Sequence, residues 1–205
     1  MANYAEILDA NDWDKWCDKY IDPLLRKGEY ELIVDEEAPS VLVFPLFKEQ
    51  FCKDLIELCE TEGEWTVDRH EFYPTTDMLI DKVWMGQIYK KVLNDFVRPL
   101  AIWFWNLEGR NWEQLTDETF VVKYTTETQS HLSLHHDNSD LTTVVKMNDD
   151  FTGGGTFFSL YKQTINPKRI GMAALHPGAI THRHGARPIH SGTRYITVSF
   201  CKMQR

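Results

Sequence analysis

Residues 118 to 201 limit the fold of this sequence more than any other part. Short apolar runs, all but "GMAAL" rich in β-branched and aromatic residues, follow one another there: "TFVVKYTT", "LTTVVKM", "TFFSLY", "GMAAL" and "TRYITVSF". Such side chains suit a pleated, half-buried surface, where their stiffness costs little and their bulk packs across strands. Turn residues punctuate the runs, most plainly Gly153-Gly154-Gly155 and His176-Pro177-Gly178. Many short strands with tight turns predict an antiparallel barrel or sandwich. The earlier half follows a different period. Phe47, Phe51, Leu55 and Leu58 recur at helical spacing in "LFKEQFCKDLIELCE", as do Trp84, Ile88, Val92, Leu93 and Phe96 in "VWMGQIYKKVLNDFVRPLAIWFW". Pro99 is expected to kink or end the second helix. "SVLVFP", ahead of the first helix, reads as a short strand. The expected class is α+β, one domain over 1–205, with residues 1–115 mostly helical support carrying the first strands and 116–205 the strand-rich half.

Composition narrows the partners. A chain of 205 residues, 42% hydrophobic and 13% aromatic, can bury one substantial core. A formal charge of −9 argues against nucleic acid and anionic membranes as partners, because no basic stripe is available to neutralise phosphates; a cationic substrate is not disfavoured. No apolar run reaches the length of a membrane span. The opening "MANYAEILDANDWDKW" has neither a basic nor an apolar signal region. Cys17, Cys52, Cys59 and Cys201 show no metal or redox spacing and are expected to be buried free thiols in a reducing compartment, so a cytoplasmic location follows.

Seven of the eight histidines fall between positions 131 and 190. In "LHHDNSD", His135 and Asp137 stand two apart, so in an extended chain they share one face while His136 takes the other. A third ligand must come from a distant segment, and "THRHGARPIHSGTR" offers His182, His184 and His190. Two histidines and a carboxylate on one face of an ion form the triad of non-haem Fe(II) oxygenases, which leaves positions open for a bidentate oxoacid and for oxygen. His-x-Asp alone is a weak signal. Arg194 strengthens it: a cation inside "RYITVSF" is costly to bury unless paired, and a guanidinium grips a co-substrate carboxylate through two parallel hydrogen bonds. Strand parity leaves His182 and His184 equivalent.

"LSLHHDNSDLTTVV", "FTGGGTFF" and "LHPGAITHRHGARPIHSGTRYITVSF" resemble the C-terminal catalytic domain of the procollagen lysyl hydroxylases, including the viral, stand-alone forms. "VFPLFKEQFCKDLIELCETEGEW", "YPTTDM" and "FVVKY" extend the likeness from about Val41 to Phe200. The resemblance implies a double-stranded β-helix (jelly-roll) core and an Fe(II)- and 2-oxoglutarate-dependent dioxygenase that uses O2, with ascorbate as reductant. It implies His135, Asp137 and His184 as metal ligands, Arg194 as anchor for the distal carboxylate of 2-oxoglutarate, and Tyr124 beside that carboxylate or in the core. His182 then supports a ligand from behind or is structural, His190 is a loop residue, and His136 is outward-facing or at the substrate entrance. The resemblance also implies a homodimer, with Ile180 at its interface or in an ordinary contact. Val144 stands where the family places an asparagine and Thr156 where it places a cysteine, so the metal set is intact and the substrate is left open.

The implied reaction hydroxylates lysine at C5 in collagen-like Gly-X-Lys peptides and releases succinate and CO2. Prolyl or free-amino-acid hydroxylation is the alternative within the superfamily. A zinc hydrolase with the same triad and a non-catalytic binding barrel are the alternatives outside it. Trp103, Trp105 and Trp112 in "WFWNLEGRNW" could form a peptide platform, although stacking in a core is the commoner use of such rings. The acidic stretches "DANDWDKWCDKY" and "VDEEAPS" read as solvated faces.

Overall fold

The computed structural model describes residues 3–67, 69, 72–109 and 118–203. Helix α1 (Trp13–Tyr20) starts where the Asp12 side chain accepts from the backbone N–H of Lys15, and it buries Trp16, Cys17 and Tyr20. The acidic opening is therefore an amphipathic helix with one face in the core, not a solvated face throughout. A short α2 (Pro23–Arg26) follows, capped by Asp22. Helix α3 (Glu49–Glu62) buries Phe51, Leu55 and Leu58 as the spacing predicts. Phe47 lies just before it and stacks on Phe51, ring centroids 3.7 Å apart.

The second helical segment departs from expectation. Trp84 lies outside it, 65% exposed at φ 60°. Helix α4 (Gly86–Val92) runs through a wide π turn over Leu93–Val97 into α5 (Arg98–Trp105). Pro99 sits in the first turn of α5 rather than at a helix end. It has no N–H to donate backwards, and the widened turn accommodates the missing bond.

Eleven strands are present among the described residues: β1 (Asp35–Ala38), β2 (Val41–Pro45), β3 (Asp77–Leu79), β4 (Glu118–Thr125), β5 (Leu141–Lys146), β6 (Phe151–Gly153), β7 (Thr156–Phe158), β8 (Gln163–Ile165), β9 (Met172–Pro177), β10 (His184–Ala186) and β11 (Ile189–Cys201). All pairings are antiparallel. The large sheet runs β1-β2-β9-β5-β11-β4-β3, with β6 on the first part of β11; the small one runs β10-β7-β8. "VDEEAPS", expected to be a solvated face, contains edge strand β1.

Period-two alternation divides the large sheet. Val121, Val145, Leu175 and Tyr195 face the helices and join Phe47, Phe51 and Tyr89 in the main core. Phe120, Val122, Tyr124, Val144, Ile196 and Val198 face the small sheet. Each fully buried Leu or Phe contributes about 1.5–3 kcal/mol, so the helices make the sheet rigid from behind and leave its other face for a cavity.

The four cysteines are buried free thiols, and burial pushes Cys17 up to about 11 and Cys59 to about 12, which makes them inert. Ile180 is 88% exposed at φ 67°, so it is no core contact. Trp103 donates its indole N–H to Glu31 and Trp105 packs on the helix-side core, while Trp112 lies outside the described residues. No helix among the described residues is long and apolar enough to cross a membrane.

Candidate metal centre

Residues 132–137 lie against the free edge of β10. The backbone N–H of His135 donates to His184 C=O at 2.8 Å, and the His184 N–H returns to His135 C=O at 2.9 Å. These two bonds place the side chains together across 49 residues of chain. Asp137 is held from the other side, where its N–H donates to the carbonyl of Gly178 at 3.2 Å. That turn requires glycine: a Cβ at Gly178 would overlap the Ser139 side chain. The "HPG" signal thus belongs to the site, through its backbone.

Candidate ligand atoms of His135, Asp137 and His184 all lie within 4.8 Å of one another. His135 Nε2 is 3.2 Å from Asp137 Oδ1 and His184 Nε2 is 3.5 Å from Oδ2. His135 Nδ1 donates to Ser133 C=O and His184 Nδ1 to His182 C=O, both at 2.8 Å. A carbonyl can only accept, so each Nδ1 carries a hydrogen and each Nε2, turned towards the carboxylate, is the atom that takes a proton or a metal ion. Thr142 Oγ1 donates to Asp137 Oδ2 at 2.6 Å and fixes the carboxylate.

The electrostatics follow. Burial acts to raise the Asp137 pKa, but hydrogen bonding to His135 and the nearness of His184 and His176 outweigh it and hold the carboxylate far below its usual range. Burial acts to lower His135, yet Asp137 wins and raises it. Burial lowers His184 against the pull of Asp137. Two lone pairs aimed at one carboxylate repel unless a proton or a cation lies between them. A first-row divalent ion suits this donor set.

The triad occupies one wall of a cavity of about 330 Å³ whose other walls are largely apolar, including Phe120, Val122, Val144, Val198 and Phe200 from the large sheet. His136 and Thr156 also line it. Tyr124 is buried at its edge, its phenol pushed up to about 12 by burial despite the opposing charge of Arg194. Arg194 is 5% exposed, with its guanidinium 5.4 Å from the Tyr124 ring and 5.9 Å from Phe151, and its Nη1 has no hydrogen-bond partner. A buried cation among rings with an unused donor has the chemistry to take an anion.

Parity misled the comparison of His182 with His184. β10 begins at His184, so His182 is outside the strand, and its ring bonds Pro39 C=O and the Thr181 hydroxyl. Its carbonyl nevertheless orients His184. His190 is exposed near the start of strand β11 and does not line the cavity. Trp103 and Trp105 do not line the cavity.

Several site residues carried no sequence signal. Tyr73 lies over His135, ring centroids 5.1 Å apart. Arg69 lines the cavity and pairs with Asp77 at 2.7 Å and Glu118 at 2.6 Å. His176 is buried, held down to about 3 by desolvation and by His184, and its Nε2 has no partner. The "YPTTDM" and "HPG" segments were the only hints.

No family model matches the chain. Human procollagen-lysine,2-oxoglutarate 5-dioxygenase 2 is 34% identical over 218 residues, covering 97% of this chain and 29% of that protein. This chain therefore spans under a third of the length of such relatives. A 2OG-Fe(II) oxygenase family oxidoreductase from Burkholderia pseudomallei superposes with TM-score 0.57 at 14% identity, over 80% of this chain and 85% of that one. The viral collagen prolyl hydroxylase of Paramecium bursaria Chlorella virus-1, in complex with 2OG, superposes with TM-score 0.50 at 18% identity, over 79% and 95%. At such identity the superpositions speak for the fold alone. Over nearly its whole length, this chain is a homologue of the procollagen lysine 5-dioxygenases.

Proposed function

We propose that this chain is an Fe(II)- and 2-oxoglutarate-dependent dioxygenase domain that hydroxylates lysine side chains in collagen-like peptides. One observation carries the reading: three metal-competent atoms of His135, Asp137 and His184 face one another on the wall of an otherwise apolar cavity. We read the two facing sheets as a double-stranded β-helix, on the strength of the fold shared with 2OG-Fe(II) oxygenases.

In this proposal the triad holds Fe(II), and Asp137, ionised and fixed by Thr142, neutralises one of its charges. Arg194 receives the distal carboxylate of 2-oxoglutarate, with Tyr124 beside it. When bound, iron, 2-oxoglutarate and O2 supply the oxidation, one oxygen atom going to succinate as CO2 leaves and the other into a C–H bond. The walls formed by Val122, Val144 and Val198 exclude bulk water and suit an aliphatic side chain. Ascorbate is the expected reductant of the iron. We also read the protein as a homodimer that uses the exposed Ile180, which a solution mass of one protomer would refute.

The test is mass spectrometry of Gly-X-Lys peptides incubated with the iron-loaded protein, 2-oxoglutarate and ascorbate. Addition of one oxygen atom to lysine is expected. Succinate formed while every peptide stays unmodified defeats the lysine assignment, and oxygen on proline instead makes the domain a prolyl hydroxylase.

A further inference from the structure

Strand β11 loses its neighbour where Arg194 must be held. Its ladder with β5 ends at Ile196↔Lys146, and its pairing with β6 starts only at Gly192↔Phe151. The side chain of Asn148 fills the gap. Its Nδ2 donates to Thr193 C=O at 2.7 Å, and its Oδ1 accepts from Tyr195 N–H at 2.9 Å. On either side, Met147 N–H donates to Tyr195 C=O at 3.1 Å and Thr193 N–H donates to Asp150 C=O at 3.2 Å. The four bonds run as an unbroken edge ladder in which one side-chain amide takes the place of a missing peptide group. The amide's orientation is not ambiguous, because one partner can only accept and the other only donate.

We infer that Asn148 is a positioning residue for the oxoacid co-substrate: it grips the backbone on both sides of Arg194 and so fixes where the guanidinium sits. The inference rests on reading Arg194 as the co-substrate's anchor. Asn148 is buried, 7% exposed, and both of these side-chain hydrogen bonds go to the backbone of β11. On the opposite edge Arg194 pairs with Tyr124 in β4, so Asn148 supplies the second rail of the strand at this residue. The arginine stem runs past the bare side of Gly154, where an added Cβ would lie 3.1 Å from Arg194 Cδ. A sag of the backbone at residues 193–195 therefore moves the charge itself. A displacement of about 1 Å at a binding group can cost up to about a hundredfold.

The experiment is calorimetric titration of 2-oxoglutarate into the Zn(II)-loaded protein, comparing wild type with Asn148→Ala, Ser199→Ala and Arg194→Met. Ser199 serves as control because it lies on the same strand as Arg194 but away from it, and its replacement removes a buried hydroxyl bond with Thr119 of β4. Asn148→Ala is expected to raise Kd about tenfold and to lose amide-exchange protection at Tyr195, with Ser199→Ala within about twofold of wild type. In the iron-loaded enzyme, KM for 2-oxoglutarate should rise while kcat at saturation holds. Unchanged affinity in Asn148→Ala overturns the inference, as does an equal loss in Ser199→Ala, which would mean general loosening. Should Asn148→Ala not fold, Asn148→Asp keeps the shape and the acceptor for Tyr195 and is read by the same criteria. Wild-type affinity in Arg194→Met would instead defeat the anchor reading itself.

Discussion

Consider Arg194→Met in the protein without co-substrate. Arg194 is 5% exposed and its Nη1 has no partner, and an unmet buried donor costs about 1–3 kcal/mol. Contacts with the Tyr124 and Phe151 rings, at 5.4 and 5.9 Å, return about 0.5–1 kcal/mol each. Methionine keeps most of the apolar stem and removes the charge. The net expectation is a variant more stable than wild type by about 1 kcal/mol, or roughly 2–4 °C in Tm for a domain of this size. Saturating 2-oxoglutarate should reverse the order. At a hundred times Kd it stabilises wild type by about 2.7 kcal/mol and leaves the variant unmoved. Thermal unfolding of both proteins, metal-loaded, with and without 2-oxoglutarate, reads all four values. If the variant is the less stable without ligand, the guanidinium is already satisfied in the fold and the reasoning fails. If 2-oxoglutarate stabilises both equally, Arg194 is not its anchor.

Three further outcomes are expected. Asp137→Asn should remove the charge that holds a divalent ion, so added Mn(II) or Zn(II) will raise the Tm of wild type but not of the variant; equal shifts would place the ion elsewhere. Gly154→Ala puts a Cβ at φ 74°, 3.0 Å from Phe151 and 3.1 Å from Arg194, and should cost about 1–2 kcal/mol in denaturant titration, so a neutral result would show slack around Arg194. Tyr20 donates to buried Asp54 at 2.9 Å, and burial pushes its phenol up to about 12. Its folded value lies above the ordinary 10 of the unfolded chain, so the contribution is whole below pH 10 and is lost as pH rises towards 12. Tyr20→Phe should lower stability by about 1 kcal/mol at pH 8 and flatten that alkaline loss; an unchanged alkaline slope would contradict the assignment.

The sequence by itself carried the local part of this protein. Runs of β-branched and aromatic residues located β4, β5, β7 and β11, the short apolar run "GMAAL" located β9, and apolar spacing located α3, because each signal resides within a dozen residues. His135 and Asp137 were legible for the same reason: two ligands two residues apart declare themselves in one short string. Between His182 and His184 the residues alone could not choose. The decision belongs to tertiary structure, since two backbone bonds tie His184 to His135 while the ring of His182 is taken by Pro39, 143 residues away. Asn148 and Tyr73 are silent in sequence because what each touches lies far along the chain, and Arg69 reaches Glu118 as well as the nearer Asp77. An asparagine becomes a stand-in for a peptide group, and an arginine a buried cation with an unused donor, only once strands from distant segments lie side by side.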